Sequence, residues 1–209
     1  FQTIVSHYPR PGHCIARARH LLEVGIGLQT GEVAIGSLFF CNAFDQFANL
    51  LILRHRQFWD VHNAALSDYR SANHLRSASH PVPALARDGQ WFELPLWLWS
   101  HGKRQRRRAF VRTCGADWEL TDREGIVIRG DADQKGGTDR LHAAELDGIK
   151  IRPRAIITTM YARLVLSDLF IHGIGGAKYD ELTDEIIRRF FGIEPPAYLT
   201  ATATFRLPI

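Results

Sequence analysis

Long apolar runs are missing from this chain of 209 residues. Its longest uncharged stretches, 33–44 and 195–205, fall short of the roughly 18 to 20 apolar residues that a membrane-spanning helix requires. Paired cysteines are missing too, because Cys14, Cys41 and Cys114 are widely spaced and form no C-x-x-C motif. The sequence therefore predicts a cytoplasmic protein without a membrane anchor or a zinc site.

Several catalytic signatures are also absent. The chain has no Ser-His-Asp order, no H-E-x-x-H motif and no glycine loop ending in GK[ST], which disfavours serine hydrolases, zinc proteases and P-loop enzymes. Its ten histidines are scattered, so no metal site is predicted. With 45% hydrophobic and 23% charged residues, the chain has an ordinary globular composition rather than a disordered one.

The positive charge is concentrated in one short run. The net charge is +4, but residues 103–112 contain six cations, and without them the rest of the chain would carry −2. This distribution does not indicate a general nucleic-acid-binding surface. The run is predicted to be a solvated face of a hairpin, with binding to a polyphosphate or a nucleic acid as the alternative. Its cations are Lys103, Arg104, Arg106, Arg107, Arg108 and Arg112.

The first 75 residues are predicted to be a helical connector. A short helix is expected over 13–23, and a longer one that Ser37 caps. Apolar residues three or four apart form a stripe on this longer helix, interpreted as core or as a seam between domains. Two nearby prolines, Pro81 and Pro83, predict the domain boundary. The stripe consists of Phe40, Phe44, Phe47, Leu51, Phe58, Val61, Ala65 and Tyr69.

Residues 80–209 are predicted to be a Rossmann-like α/β portion, the C-terminal half of a larger core. Helices and strands alternate toward the C-terminus, which favours a mostly parallel sheet with a small antiparallel hairpin. The aromatic strand 91–99 contains a proline and is expected at a sheet edge. The remaining strands are expected at 107–113, 118–121, 125–129, 168–172 and 198–205, and the helices at 139–146, 159–166 and 180–191.

A glycine-rich segment between a predicted strand and a predicted helix is the main candidate binding site. Glycines at such a turn let backbone N–H groups approach a ligand, and a helix beginning at Asp180 would favour a phosphate or carboxylate. The alternatives are a turn whose glycines serve close packing, a structural histidine and solvated side chains. The candidate residues are His172, Gly173, Gly175, Gly176, Lys178, Tyr179 and Asp180.

Two further groups are candidate ligand contacts. Arg152 and Arg154 flank a proline, and either could clamp a carboxylate; a surface ion pair is the alternative. Glu93 lies on the same face of its predicted strand as Trp97 and Trp99, an arrangement that could hold an amine or a sugar. The alternative for Glu93 is an edge strand whose polar residue points outward.

The C-terminal half resembles a known family. Segments 151–153, 173–175, 191–196 and 201–204 resemble the bacillithiol-biosynthesis cysteine-adding enzymes, ligases with a Rossmann-like core, over roughly residues 105 to 205. Three other segments, His80-Pro81-Val82-Pro83, Glu93-Leu94-Pro95-Leu96-Trp97 and 172–184, look more like uncharacterised bacterial proteins distantly related to those enzymes. This chain has Gly176 where the ligases have a glutamate.

The resemblance implies a ligase-like or transferase-like enzyme that binds a phosphate-bearing or carboxylate-bearing small molecule at the glycine turn. It also implies that an N-terminal half is missing, in agreement with a first residue, Phe1, that is not Met. The cofactor is left open, with a nucleotide as the candidate, and no nucleophile or general base is assigned. The alternative is a non-catalytic binding or scaffold domain whose partner surface is the arginine-rich hairpin and the tryptophan-rich strand.

Overall fold

The computed structural model of the chain describes residues 11–103 and 105–204, which divide into two compact units at Leu38. The first unit contains helix α1 (Pro11–Gly25), and a 3₁₀ turn, Ile35–Phe39, spans the division. Within this unit Arg19 pairs with Glu32 on the segment that follows α1. Helix α1 is longer than the predicted helix 13–23 and buries a single side chain, Cys14, among its described residues.

The predicted long helix is two helices, α2 (Asn42–Leu53) and α3 (His55–Ala72), separated at Arg54. The apolar stripe is confirmed as core, because Phe44, Phe47, Leu51, Phe58 and Ala65 are all buried. Phe40 lies before α2 and remains 45% exposed. Two helices replace one because the backbone of Arg54, at φ −106° and ψ 27°, leaves the helical region and turns the chain.

The main sheet is antiparallel, so the predicted mostly parallel, Rossmann-like sheet is wrong. Its neighbouring strands follow the chain from β1 to β5, and β6 pairs with the second half of β2. Loops of only a few residues join β2 to β3, β3 to β4 and β4 to β5, and parallel neighbours would need crossovers of a dozen residues or more. The strands are β1 (Arg87–Asp88), β2 (Trp91–Ser100), β3 (Arg107–Cys114), β4 (Asp117–Thr121), β5 (Val127–Asp131) and β6 (Ile149–Pro153).

Strand β2 is central, which corrects the expected edge position. It pairs with β1 and β3 and also with β6. Pro95 is tolerated there because the register with β3 shifts between Leu94 and Trp97, so the missing N–H falls at a bulge. The predicted hairpin of β3 and β4 is confirmed, and β5 is the predicted short third strand.

The remaining elements are three helices and a second small sheet. Helix α4 (Gln134–Leu146) starts earlier than predicted, because the carboxylate of Asp133 caps it by accepting the N–H of Gly136. Helix α5 (Ala155–Tyr161) continues as a π-helical turn, Ala162–Leu166. Strands β7 (Phe170–His172) and β8 (Tyr198–Thr200) form the parallel pair, and helix α6 (Ile174–Phe191) lies between them in sequence.

The core of the second unit lies between these helices and one face of the main sheet. Helix α3 packs on β2 and on α6, while α4 packs on α2 and β5. The predicted C-terminus of the last helix is confirmed, because Gly192 follows α6 in the left-handed region at φ 72°. None of the helices in the described ranges has the length and apolar character to cross a membrane.

Glycine 130 provides a test of the sheet packing. A Cβ at Gly130 would lie 2.3 Å from the buried ring of Trp118 on β4, whereas a Cβ at Gly175 in helix α6 would meet nothing within 4 Å. We therefore expect Gly130→Ala to lower the free energy of unfolding by about 1–3 kcal/mol through overpacking. Gly175→Ala should raise it by up to about 1 kcal/mol, since alanine favours helix. Urea unfolding of both variants measures the difference, and equal effects would contradict this packing.

Candidate functional site

Two adjacent cavities lie where the segment before β1, the middle of β2 and the start of α5 meet. Their volumes are about 290 and 260 Å³. Both are lined by Pro81, Val82, Ala155 and Ile156, which places them side by side. The first cavity, here called the arginine cavity, is also lined by His62, Pro83, Leu85, Pro95, Trp97, Arg108 and Arg154. The second, the apolar cavity, is also lined by Thr159, Gly176 and Tyr179.

A buried carboxylate stands behind the arginine cavity. Glu93 is fully buried, and its Oε1 accepts a hydrogen bond from Nη2 of Arg154 at 2.6 Å. Its Oε2 accepts the backbone N–H of Ala86 at 2.8 Å. The alternative prediction, an edge strand from which Glu93 points outward, is therefore wrong. A buried carboxylate is tolerated only when it is paired and hydrogen-bonded, and Arg154 supplies the pairing.

Two guanidinium groups share this single carboxylate. Arg154 stacks on Trp97, with Cζ 4.5 Å from the ring centroid, and its side chain is 13% exposed. Burial lowers the pKa of Arg154 from its ordinary value, and the hydrogen bond that Arg154 donates to Glu93 opposes that change. Arg108 reaches Glu93 only at 3.5 Å and keeps 57% of its side chain exposed. The cavity therefore has one positive charge more than its buried carboxylate balances, which favours an anionic ligand.

His62 lines the same cavity without adding charge. Its side chain is buried, and Nδ1 lies 3.4 Å from Oδ1 of Asn63. Burial lowers the pKa of His62 to about 4, and the nearby Arg154 charge acts in the same direction. The imidazole is consequently neutral at pH 7. It can donate a hydrogen bond to a ligand or accept one, but it carries no charge that would attract an anion.

The proline segment, Pro81–Pro83, borders the two cavities, and Arg70 of α3 holds it in place. Its guanidinium donates to the backbone carbonyls of Ala78, His80 and Val82 at 2.7–3.0 Å. Arg70 also borders a larger and more polar cavity of about 560 Å³, lined by residues at the end of α3 and in the loop after it. Because Nε and Nη2 are engaged by these three carbonyls, Arg70 serves as a positioning residue for the proline segment.

The glycine-rich segment begins helix α6 rather than preceding it. Gly173 is the N-cap and the helix starts at Ile174, so Asp180 lies in its second turn and is fully buried. The expectation that Asp180 starts the helix is wrong, because the glycines adopt helical backbone themselves. A Cβ on Gly176 would lie 2.4 Å from Nδ1 of His172, while Gly173 has open space around it.

A buried charge cluster lies beneath this helix. Arg163, on the π-helical turn, has Nη2 2.6 Å from Oδ1 of Asp184 and Nη1 3.4 Å from Oδ2 of Asp180. Nε2 of His172 lies 3.5 Å from the same Asp180 oxygen, and the ring of Tyr198 contacts both His172 and Arg163. Burial raises the pKa of Asp184, against the opposing effect of Arg163. The cluster fixes α6 against the turn after α5.

The other predicted contacts lie away from the cavities. Arg152 pairs with the buried carboxylate of Glu145 on α4, which Lys150 also approaches at 3.3 Å. Lys178 is exposed and lines neither cavity; its backbone carbonyl accepts the hydroxyl hydrogen of Tyr69. Of the predicted contacts, the structure therefore places Arg154 on the arginine cavity, Glu93 behind it, and Gly176 and Tyr179 on the apolar cavity.

The arginine run is divided among several partners. Arg107 pairs with Glu124 at 2.9 Å, Arg112 with Glu119 at 3.3 Å, and Arg106 lies over Trp99 at 5.2 Å. Arg104 lies outside the described residues, as does the end of the predicted strand at Phe205. The run thus contributes one residue, Arg108, to the lining of the arginine cavity.

Sequence reasoning missed His62, Arg108 as a cavity residue and Arg163. Arg163 is the one charge in the stretch from Ile156 to Leu166, and this isolation is a sequence signal that could have found it. Comparison with known proteins adds no family assignment, since neither protein-family models nor curated proteins match the chain.

The low pKa of His62 predicts a pH dependence of stability. Since the folded-state pKa of about 4 lies below the ordinary 6.5, the unfolded chain binds more protons between these values, and stability falls as pH falls through this window. The loss attributable to His62 should be on the order of 3 kcal/mol. Urea unfolding at several pH values should show a shallower pH dependence in His62→Gln than in wild type. Parallel curves would contradict a buried, neutral His62.

The arginine run should contribute little to stability. We expect the triple variant with Arg106, Arg107 and Arg108 replaced by Gln to stay within about 1 kcal/mol of wild type, because partly exposed ion pairs are weak. Chemical denaturation measures this difference. A loss several times larger would mean that these side chains are structural.

Proposed function

We propose that the protein binds a small organic anion, a carboxylate or a phosphate, in the arginine cavity. The observation that carries the proposal is the charge imbalance at Glu93, where Arg108 and Arg154 face one carboxylate. Arg154 is held by Glu93 and Trp97, so it is already oriented, while the exposed guanidinium of Arg108 is available to donate to a ligand. Guanidinium groups bind such anions with paired hydrogen bonds.

This site differs in place from the glycine turn predicted from the sequence. It is lined in part by the segments that look like the uncharacterised bacterial proteins. Of those segments, Pro81–Pro83, Pro95 and Trp97 border the arginine cavity, and Gly176 and Tyr179 border its neighbour. We keep the ligase-like or transferase-like reaction as part of the proposal, with the bound anion as a substrate. A cytoplasmic location belongs to the same proposal, and a nucleotide is its candidate cofactor.

A second candidate, the non-catalytic partner surface, also has a specific observation in its favour. Trp91, Trp97 and Trp99 alternate with buried residues on β2, and each has an arginine within 5.2 Å of its ring. Such paired rings and guanidiniums are common at protein interfaces. The two functions are distinguished by whether small anions bind saturably.

Arg108→Gln tests the anion site with little expected effect on the fold. Replacing Arg108 removes a charge-assisted hydrogen bond to the ligand, worth about 1.5–3 kcal/mol. We therefore expect binding of inorganic phosphate and of propionate to weaken about ten- to hundredfold. Isothermal titration calorimetry at constant ionic strength measures both affinities.

Arg107→Gln is the matched control. Arg107 belongs to the same arginine run but pairs with Glu124 and does not line the cavity, so its loss should leave both affinities near wild type. Propionamide, which has the shape of propionate without its charge, should not bind. Absence of saturable binding in wild type, or an equal loss in both variants, would overturn the anion site.

A further inference from the structure

The apolar cavity beside the anion site has a lining of different chemistry. Four of its residues, Pro81, Val82, Ala155 and Ile156, also border the arginine cavity. Its other lining residues are Thr159, Gly176 and Tyr179, so no charged side chain borders it among the described residues. A charged head group bound at Arg108 would therefore have an uncharged space next to it.

The polar side chains that line the apolar cavity do not require hydrogen bonds from a ligand. The hydroxyl of Thr159 donates within its own helix, to the backbone carbonyl of Ile156 at 3.2 Å. Tyr179 packs edge-on against His80, with ring centroids 5.9 Å apart, and keeps 39% of its surface exposed. An apolar group in the cavity would thus cover part of the Tyr179 ring without leaving a buried polar group unsatisfied.

The space for an apolar group is bordered on one side by the backbone of α6 rather than by a side chain. Gly176 lies so close to His172 that a side chain would not fit there. The backbone of Gly176 therefore borders the cavity directly. The cavity volume of 260 Å³ has room for about eight carbon atoms if each takes a volume similar to a water molecule. The volume of each cavity alone lies just below the roughly 300–1,000 Å³ typical of ligand pockets, and their combined volume falls within that range.

We propose that the ligand is an amphiphilic organic anion, whose carboxylate or phosphate binds at Arg108 and Arg154 and whose unbranched apolar chain occupies the apolar cavity. This inference rests on the proposed anion site and specifies its ligand class. Each buried methylene should raise the affinity about three- to fourfold until the apolar cavity is full.

The test is a titration of straight-chain carboxylates from propionate to decanoate into the full chain. We expect the affinity to rise with chain length and then to level off once the chain exceeds the cavity. Thr159→Phe, which fills the cavity, should remove the dependence on chain length and leave propionate binding unchanged. Thr159→Val is the matched control, because it removes the hydroxyl while keeping the shape, and it should behave like wild type.

Tyr179→Ala provides a second test, since it removes the ring that borders the apolar cavity and should reduce the gain per methylene without weakening propionate binding. If propionate binds wild type and longer chains bind no better, or if Thr159→Phe leaves the dependence on chain length intact, the chain-binding role is overturned while the anion site stands. If propionate itself does not bind, the proposed anion site fails instead.

Discussion

The pairing of Glu93 with Arg154 is the interaction on which the site depends. It joins the middle of β2 to the residue that follows β6, and the N–H of Arg154 also donates to the carbonyl of Pro95. Because Glu93 is fully buried, loss of Arg154 would leave its charge facing only the more distant, half-exposed Arg108, at a cost of up to about 3–5 kcal/mol. Neither residue can therefore move independently, and the geometry of the arginine cavity is fixed from behind.

The wall of the cavity is attached to the same carboxylate. Glu93 accepts the N–H of Ala86, while Trp59 of α3 donates to the carbonyl of Ala86 at 3.1 Å. The side chain of Asn63 forms two hydrogen bonds with the backbone of Leu85. These bonds hold the segment before β1 between α3 and β2. The proline segment therefore needs no regular structure of its own to keep its place.

Local patterns predicted most of the elements but not the arrangement of the sheet. The stripe from Phe44 to Ala65 identified the helical core, and the closely spaced predicted strands 107–113 and 118–121 identified the β3–β4 hairpin, because both depend on nearby residues. Alternating helices and strands toward the C-terminus suggested parallel pairing, which the structure has only between β7 and β8 within its described ranges. Whether the second half of β2 is paired on both edges depends on β6, about 50 residues later, and on a bulge that accommodates Pro95.

The candidate site shows the same limit. Glu93 and Tyr179 stood out locally, as a charge among apolar residues and as part of a glycine-rich segment, and both contribute to the site. His62 and Arg108 did not stand out, since their roles arise only when α3 and β3 come together with β2. Arg152 stood out because a proline follows it. Its partner, Glu145, lies on a helix that the sequence pattern predicted, but nothing in that pattern indicated the contact between them.

Helix α6 connects the apolar cavity to the buried charges beneath it. Gly176, Asp180 and Asp184 are spaced four apart, so they lie on one face of the helix. The first forms a wall of the cavity against His172, and the other two pair with Arg163. Because the buried Asp180 and the partly exposed Asp184 both pair with Arg163, any shift of α6 away from this guanidinium would weaken both pairs and would be most costly for Asp180. Gly176 is therefore needed less for flexibility than to let a rigidly held helix approach His172 closely, whereas a side chain at Gly175 would meet no neighbour.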